Sequence, residues 1–346
     1  MENLATLNDL PQKYQDDLKG QNLVPLWPSL RNLLPPLQPK PLTQTVVWKY
    51  QEIKPLLLQA GELTPIEKAE RRVLVLANPG HDLNNLKASS VIYMGMQLLL
   101  PNEVAPSHRH TPNAVRLVVE GNGAYTTVEG QKCMMQKGDL ILTPTGLWHE
   151  HGHDGDEPVI WLDILDLPIV HHIEASYVEQ FNGKIELKDD QSSRYKAGLV
   201  PLINGHRAEI SPKNSTILRY PWVETKALLE QLATIQKLNT SIQISFVNPE
   251  TGQAVQKIIG YSALMLRPQE YLKLKRRSCA QIFHIIEGSA QLTVDHQQHI
   301  LSQSDTLSAA CFSTIEMRNE NIKPCFIFIA DESEIQKNLG LYSEKE

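Results

Sequence analysis

PSHRHTPNAV (106–115) is followed by EGNGAY (120–125) and then by KGDLILTPTGLWHEHGH (137–153). His108 and His110 stand two apart in a segment of strand character. Successive strand side chains alternate between faces, so these two imidazoles point the same way. His149 follows a second apolar run that ends at a Pro-Thr-Gly turn. Three neutral imidazoles converging from separate strands make a site for a first-row metal ion with open positions for other ligands. His151 and His153 share the parity of His149, so one face of that segment is rich in imidazole; His153 in HDGDE reads as part of a solvated turn.

The surrounding texture is β. From SSVIYMGMQLLL (89–100) to WLDILDLPIV (161–170), short runs of Val, Ile, Leu and Tyr alternate with Gly, Pro and Asp turns, as in an antiparallel barrel or sandwich. The same texture returns later. RLVVEGNGAYTTVEGQKCMMQKGDLILTP (116–144) aligns with FHIIEGSAQLTVDHQQHILSQSDTLSAA (283–310) with one deletion. One β unit is therefore used twice. The ligand positions are not repeated: His108 falls on Lys275, His110 on Arg277 and His149 on Ile315. Ammonium and guanidinium groups do not ligate a divalent cation, so the second unit is expected to be metal-free. Before the first unit, LPPLQPKP (34–41) excludes regular helix and central strand, because each Pro lacks a donor. ETKALLEQLATIQKL (224–238) has helical spacing. The expected organisation is an arm of helices and Pro-rich connectors (1–75), a metal-binding β unit (76–175), a mixed linker with a helix (176–250) and a degenerate metal-free β unit (251–335).

The chain has 346 residues and a formal net charge of −6, with no basic block. Nucleic acid and anionic membranes are thereby disfavoured as partners. The polar, mixed-charge start MENLATLNDLPQKYQDDLKG has no signal-peptide core, and apolar runs such as LVPLWPSL are short and broken by Pro. Cys133, Cys279, Cys311 and Cys325 are scattered, as expected of reduced thiols in a cytoplasmic protein.

His-x-His, Glu-Gly, Gly-Asp and Pro-x-Gly-x-x-His, in this order, are the two motifs of the cupin barrel. A carboxylate ligand often follows the second His by four or five residues; here those positions are Ala114 and Val115. The resemblance goes further. AGELTPIEKAERRVLVLANPG (60–80), VIYMGMQLLLPNEVAPSHRHTPNAVRLVVEGNGAYTTVEG (91–130) and GDLILTPTGLWHEHG (138–152) resemble the gentisate 1,2-dioxygenase family of bicupin enzymes, relatives of salicylate and 1-hydroxy-2-naphthoate dioxygenases. RYPWVETKALLEQL and FVNPETGQAV resemble its inter-domain segment. The likeness spans roughly residues 20 to 335.

That resemblance implies a mainly β bicupin: two cupin (double-stranded β-helix) barrels with a helical N-terminal arm and a helical inter-domain segment. It implies Fe(II) held by His108, His110 and His149. It puts Arg72, Arg116, Gln97, Tyr93, Gly95 and Asp163 in the substrate pocket, and makes His151 a proton-handling group beside substrate or oxygen. The implied partners are a small aromatic hydroxy-acid and O2, and the implied assembly is a homotetramer. The implied reaction converts gentisate and O2 to maleylpyruvate. Arg116 stands among apolar neighbours on a half-buried strand and needs an anion. A substrate carboxylate would serve; an internal ion pair to Glu120 or Asp139 is the alternative. Asp163 in WLDILD is costly to bury unless paired; it could instead orient a ligand histidine. Two departures bear on substrate choice: Gly146 stands where the family tends to have Trp, and YMGMQ carries two Met. The competing readings are the same chemistry on salicylate, a substituted gentisate or 1-hydroxy-2-naphthoate; a cupin that binds an aromatic acid without turnover; and a structural protein with vestigial histidines.

Overall fold

A computed structural model describes residues 4–181, 183, 186–188, 202–203, 206–207, 217–238 and 240–346; most of the expected linker from 182 to 216 thus lies outside the described residues. The chain divides into two compact units, one up to Leu42 and one from Thr43 to Glu346. The first contains the helices Gln12–Gly20 and Leu30–Leu33, neither with a buried residue. Among the described residues no helix is long and apolar enough to cross a membrane.

The second unit holds two barrels, each made of two sheets. In the first barrel a six-stranded sheet runs Arg219–Tyr220, Leu140–Thr143, Ala114–Glu120, Val159–Leu165, Tyr93–Leu99, Arg72–Val75. Opposite it, a five-stranded sheet runs Val178–Gln180, Val104–His110, His149–His153, Ala124–Val128, Gln131–Met134. In the second barrel the six-stranded sheet runs Val46–Trp48, Thr306–Ala309, Gln281–Glu287, Cys325–Asp331, Gly260–Leu266, Ile242–Ser245, and its partner sheet has four strands. The order of the two six-stranded sheets is the same, element for element, so the internal repeat is structural. Strands Arg72–Val75 and Ile242–Ser245 belong to barrels although the sequence texture puts them in the arm and the linker.

Even the irregularities repeat. The pairing of Ala114–Glu120 with Val159–Leu165 skips Val119, and that of Gln281–Glu287 with Cys325–Asp331 skips Ile286. Both bulges are followed by a glycine of positive φ, Gly121 at 91° and Gly288 at 85°. A Cβ on Gly121 would meet Pro158 O at 2.5 Å, and one on Gly288 would meet Pro324 O at 2.9 Å. This is why Val-Val-Glu-Gly and Ile-Ile-Glu-Gly are the best-matched stretch of the repeat.

The central strands read as near-continuous apolar runs because both faces are covered. Val115, Leu117, Met94, Met96, Ile160 and Leu162 face outward and join Tyr261, Ile282, Phe326 and Phe328 of the other barrel in one shared core. Val118, Trp161, Leu99 and Ile141 fill the base of the first barrel. In the second barrel a large apolar cluster fills the corresponding interior. The registers make Leu264 the counterpart of Gln97, Phe283 of Arg116 and Ile329 of Asp163. They likewise pair Ile315 with His149 and Met317 with His151. At these positions the second barrel is apolar where the first is polar.

The barrels are clasped by two helices. Strand Val46–Trp48 pairs with Thr306–Ala309 of the second barrel and leads into helix Tyr50–Leu63, which packs on the first. Strand Arg219–Tyr220 pairs with Leu140–Thr143 of the first barrel and leads into helix Trp222–Ile235, which packs on the second. Asp305 accepts from Tyr50 N at 2.9 Å and Lys49 Nζ at 2.8 Å, while Tyr50 Oη donates to Glu120 at 2.7 Å. Asp139 accepts from Trp222 N at 2.8 Å and Arg219 Nε at 2.7 Å, while Trp222 Nε1 donates to Glu287 at 2.6 Å. Each carboxylate satisfies an otherwise orphaned amide at a helix N-terminus, where the dipole also favours negative charge.

Candidate metal centre and its pocket

His108 and His149 lie directly opposite each other on paired antiparallel strands. An irregularity between Ala105 and His108 sets this register. His110, two residues on, shares the inward face. The ring centroids are 4.2 Å apart for His108 and His149, 4.7 Å for His110 and His149, and 5.3 Å for His108 and His110. One nitrogen from each ring lies within 4.8 Å of the others.

The tautomers follow from local backbone. Nδ1–H of His149 donates to Leu147 O at 2.9 Å, and Nδ1–H of His110 donates to Pro112 O at 2.7 Å. His108 Nδ1 lies 3.3 Å from Pro106 O. In His110 and His149 a proton on Nδ1 leaves the Nε2 lone pair free, and the carbonyl fixes the ring's orientation. Among the described residues Nε2 of His149 is buried with no hydrogen-bond partner. Burial, then the Arg71 cation, pushes the His108 pKa down to about 3. Burial, then Arg116, pushes His110 down to about 4 and His149 well below the usual range. Such rings stay neutral at neutral pH. Ala114 and Val115 are buried and apolar, so no carboxylate joins from that strand. Three neutral nitrogen donors with an unshared buried lone pair fit a divalent first-row cation and leave its charge uncompensated.

Beside the triad lies a buried polar wall. Arg116 Nε is 3.1 Å from Asp163 Oδ1, and Arg116 Nη1 donates to Thr143 Oγ1. Asp163 and Arg116 are directly opposite in register. The internal partner of Arg116 is thus Asp163, and neither Glu120 nor Asp139. Glu120 follows the bulge and is held by Tyr50 and Lys54; Asp139 is held by Trp222 and Arg219. Asp163 accordingly orients an arginine, not a ligand histidine. Burial pushes its carboxyl up, against the pull of Arg116.

Gly95 lies opposite Asp163 and Tyr93 opposite Leu165. A Cβ at Gly95 would meet Val73 Cγ1 at 2.4 Å and Tyr93 Oη at 3.0 Å, so only glycine fits between them. Gln97, opposite Trp161, is buried with Nε2 unpartnered. His151 is fully buried, with its ring centroid 6.0 Å from that of His149. Its Nδ1 is 2.9 Å from Thr126 Oγ1, which in turn donates to Met135 Sδ at 3.6 Å. With the Thr126 proton directed at sulfur, Thr126 Oγ1 is free to accept from His151 Nδ1–H, the tautomer that leaves a lone pair on His151 Nε2. That nitrogen has no hydrogen-bond partner among the described residues.

The two adjacent arginines part company. Arg72 Nη1 donates to Gly61 O at 3.2 Å, and its guanidinium forms an ion pair with Glu103. Arg71 Nη2 lies 2.5 Å from His108 Nδ1 and 3.0 Å from Pro106 O. Val73 pairs with Gln97, so Arg71, two residues before Val73, shares the pocket face and Arg72 does not. Strand parity in ERRVLV carries this signal once Gln97 is placed inside. Arg71 has no carboxylate within ion-pair distance among the described residues, and burial, then repulsion by Arg116, lowers its pKa to about 10.

The cupin domain family matches residues 95–165. A gentisate 1,2-dioxygenase from Ralstonia sp is 53% identical over 344 residues, covering 99% of this chain and 96% of that protein. A 5-aminosalicylate 1,2-dioxygenase from Comamonas sp is 30% identical, covering 95% of this chain and 88% of that protein. The crystal structure of salicylate 1,2-dioxygenase from Pseudoaminobacter salicylatoxidans with gentisate superposes with a TM-score of 0.87 at 29% identity, covering 97% of this chain and 94% of that one. Two barrels in the same strand order, one holding a histidine triad and one filled by an apolar cluster, agree with these likenesses: the chain belongs to the gentisate 1,2-dioxygenase family of bicupin ring-cleaving dioxygenases.

Proposed function

We propose that this chain is a gentisate 1,2-dioxygenase that binds Fe(II) on His108, His110 and His149 and converts gentisate and O2 to maleylpyruvate. The observation that carries the reading is the neutral triad beside an arginine with no carboxylate partner among the described residues. When bound, Fe(II) supplies a Lewis-acidic, redox-active centre with open positions for the substrate's carboxylate and ortho hydroxyl and for O2.

The protein's own groups bind, orient and move a proton. Arg71 receives the substrate carboxylate, since its charge is the one left uncompensated at the site. Arg116, fixed by Asp163 and Thr143, presents a static positive field to the same anion and holds the ring's orientation. Gln97 offers its unpartnered amide N–H to a ring oxygen. Gly95 lets Val73 and Tyr93 close in on the strand where any side chain would collide with them. His151 Nε2 accepts the substrate's hydroxyl proton, with Thr126 holding the ring in the accepting tautomer. Buried Trp161 and half-buried Tyr93 keep water from the reacting ring.

Likeness to the family supports a homo-oligomer, a tetramer. The free cysteines support a cytoplasmic setting. The deciding experiment is anaerobic Fe(II) loading followed by oxygen uptake with gentisate, salicylate, 5-aminosalicylate and 1-hydroxy-2-naphthoate side by side. Gentisate is expected to give the highest kcat/KM. Stoichiometric binding of these acids without oxygen consumption would leave a non-catalytic cupin.

A further inference from the structure

The strand bearing Arg71 and Arg72 is entered through an unusual turn. Glu70 has φ 52° and ψ −47°, and the amide of Arg71 donates back to Ala69 O across it. This is a γ-turn of the rare hand, which a residue with a side chain adopts only under constraint. Two features of the site depend on it. Glu70 O accepts from Arg71 Nη1 at 2.7 Å, so the turn folds the arginine's own backbone under its guanidinium. Pro106 O then holds the other arm at 3.0 Å. The Glu70 side chain accepts from Gln180 Nε2 at 3.3 Å. Gln180 lies opposite His108 on the strand Val178–Gln180, which edges the ligand-bearing strand. Glu70 therefore ties the arginine's turn to the strand that carries the metal ligands.

We infer that Glu70 is a positioning residue: its strained turn and its bridge to Gln180 aim Arg71 at the substrate carboxylate. The inference rests on the reading of Arg71 as the carboxylate-binding group, and it accounts for why a solvent-exposed Glu occupies a conformation better suited to glycine. Arg71 Nη2 also lies beside His108 Nδ1, so the iron content of each variant is measured with its KM to separate anion binding from metal binding.

The test uses the full-length, iron-loaded protein. Glu70→Val cannot hold φ near 52° without further strain and disrupts both functions of the turn. It is expected to raise KM for gentisate about tenfold, with kcat within about twofold and iron content unchanged. Inhibition by salicylate weakens in parallel, while inhibition by catechol, which lacks the carboxylate, does not change. Glu70→Gln keeps an acceptor oxygen for Gln180 and restores KM to within about twofold. Gln180→Ala, which leaves the turn intact, raises KM by about threefold and covers the case in which Glu70→Val does not fold. Wild-type KM in both Glu70→Val and Gln180→Ala, alongside a raised KM in Arg71→Ala, overturns the role of Glu70 and leaves that of Arg71 standing. Wild-type KM in Arg71→Ala overturns the reading beneath it. Equal loss of salicylate and catechol binding in Glu70→Val also overturns the inference, since that is the mark of a general structural defect.

Discussion

Arg116 Nε and Asp163 Oδ1 lie 3.1 Å apart with side chains only 4% and 7% exposed, and in the second barrel the same two positions are Phe283 and Ile329. One fold has thus solved one pair of interior sites in two ways. Removing one partner of a buried pair strands the other charge at a cost of about 3–5 kcal/mol, whereas replacing both with apolar groups is often neutral. Asp163→Ala is expected to lower unfolding free energy by about that amount. Arg116→Phe combined with Asp163→Ile is expected to recover most of it while abolishing turnover. Urea denaturation of the two variants checks both halves; a double variant no more stable than the single one contradicts the pairing.

Loss of a metal ligand separates binding from folding. His110→Ala is expected to purify with little iron and to lose activity by roughly a hundredfold or more, with the circular dichroism spectrum unchanged. Metal analysis beside the oxygen electrode decides it. In the wild-type protein, adding a chelator is expected to lower the melting temperature, because a cation held at about a hundred times its Kd stabilises the folded state by about 2.7 kcal/mol.

Thr126 fixes the protonation of His151. Thr126→Val removes the acceptor for Nδ1–H and frees the ring to place its proton on Nε2, where it cannot accept one. A fall in kcat of about a hundredfold with KM for gentisate nearly unchanged is expected. A matching rise in KM instead would assign Thr126 to packing.

His284 offers a pH test outside the active site. It is fully buried in the second barrel, with Nδ1 2.9 Å from Thr306 Oγ1, and burial pushes its pKa down to about 3. The unfolded chain protonates near the ordinary value of 6.5. Its contribution is therefore complete above that value and is lost as pH falls from there toward the folded pKa. At about pH 5 the loss is about 2 kcal/mol. Its counterpart in the first barrel is Leu117. His284→Leu is expected to lose about 2 kcal/mol less than wild type between pH 7 and about pH 5, read as the difference in denaturation free energies.

The histidine triad and the double use of one β unit were legible in the sequence because they depend on local order: a parity of two, a Glu-Gly bulge, a Gly-Asp turn. Even the counterparts Lys275, Arg277 and Ile315 follow from that alignment. The choice between Arg71 and Arg72 was not legible from the motif, because it turns on which one shares the face of Gln97, a residue on another strand. The partner of Arg116 was obscured for the same reason. Glu120 and Asp139 are nearer in sequence, but the bulge after Val118 sends Glu120 outward and a helix N-terminus claims Asp139. Nothing local links Tyr50 to Asp305, since the pairing spans most of the chain.

That crossed arrangement of Tyr50 with Asp305 and Trp222 with Asp139 has a consequence for the molecule as a whole. Neither half can be excised as a free-standing module, because cutting the chain between them strips each of an edge and a cap supplied by its sibling. Melting should then be a single cooperative event for the whole of this pair, each half depending on the other to stay folded.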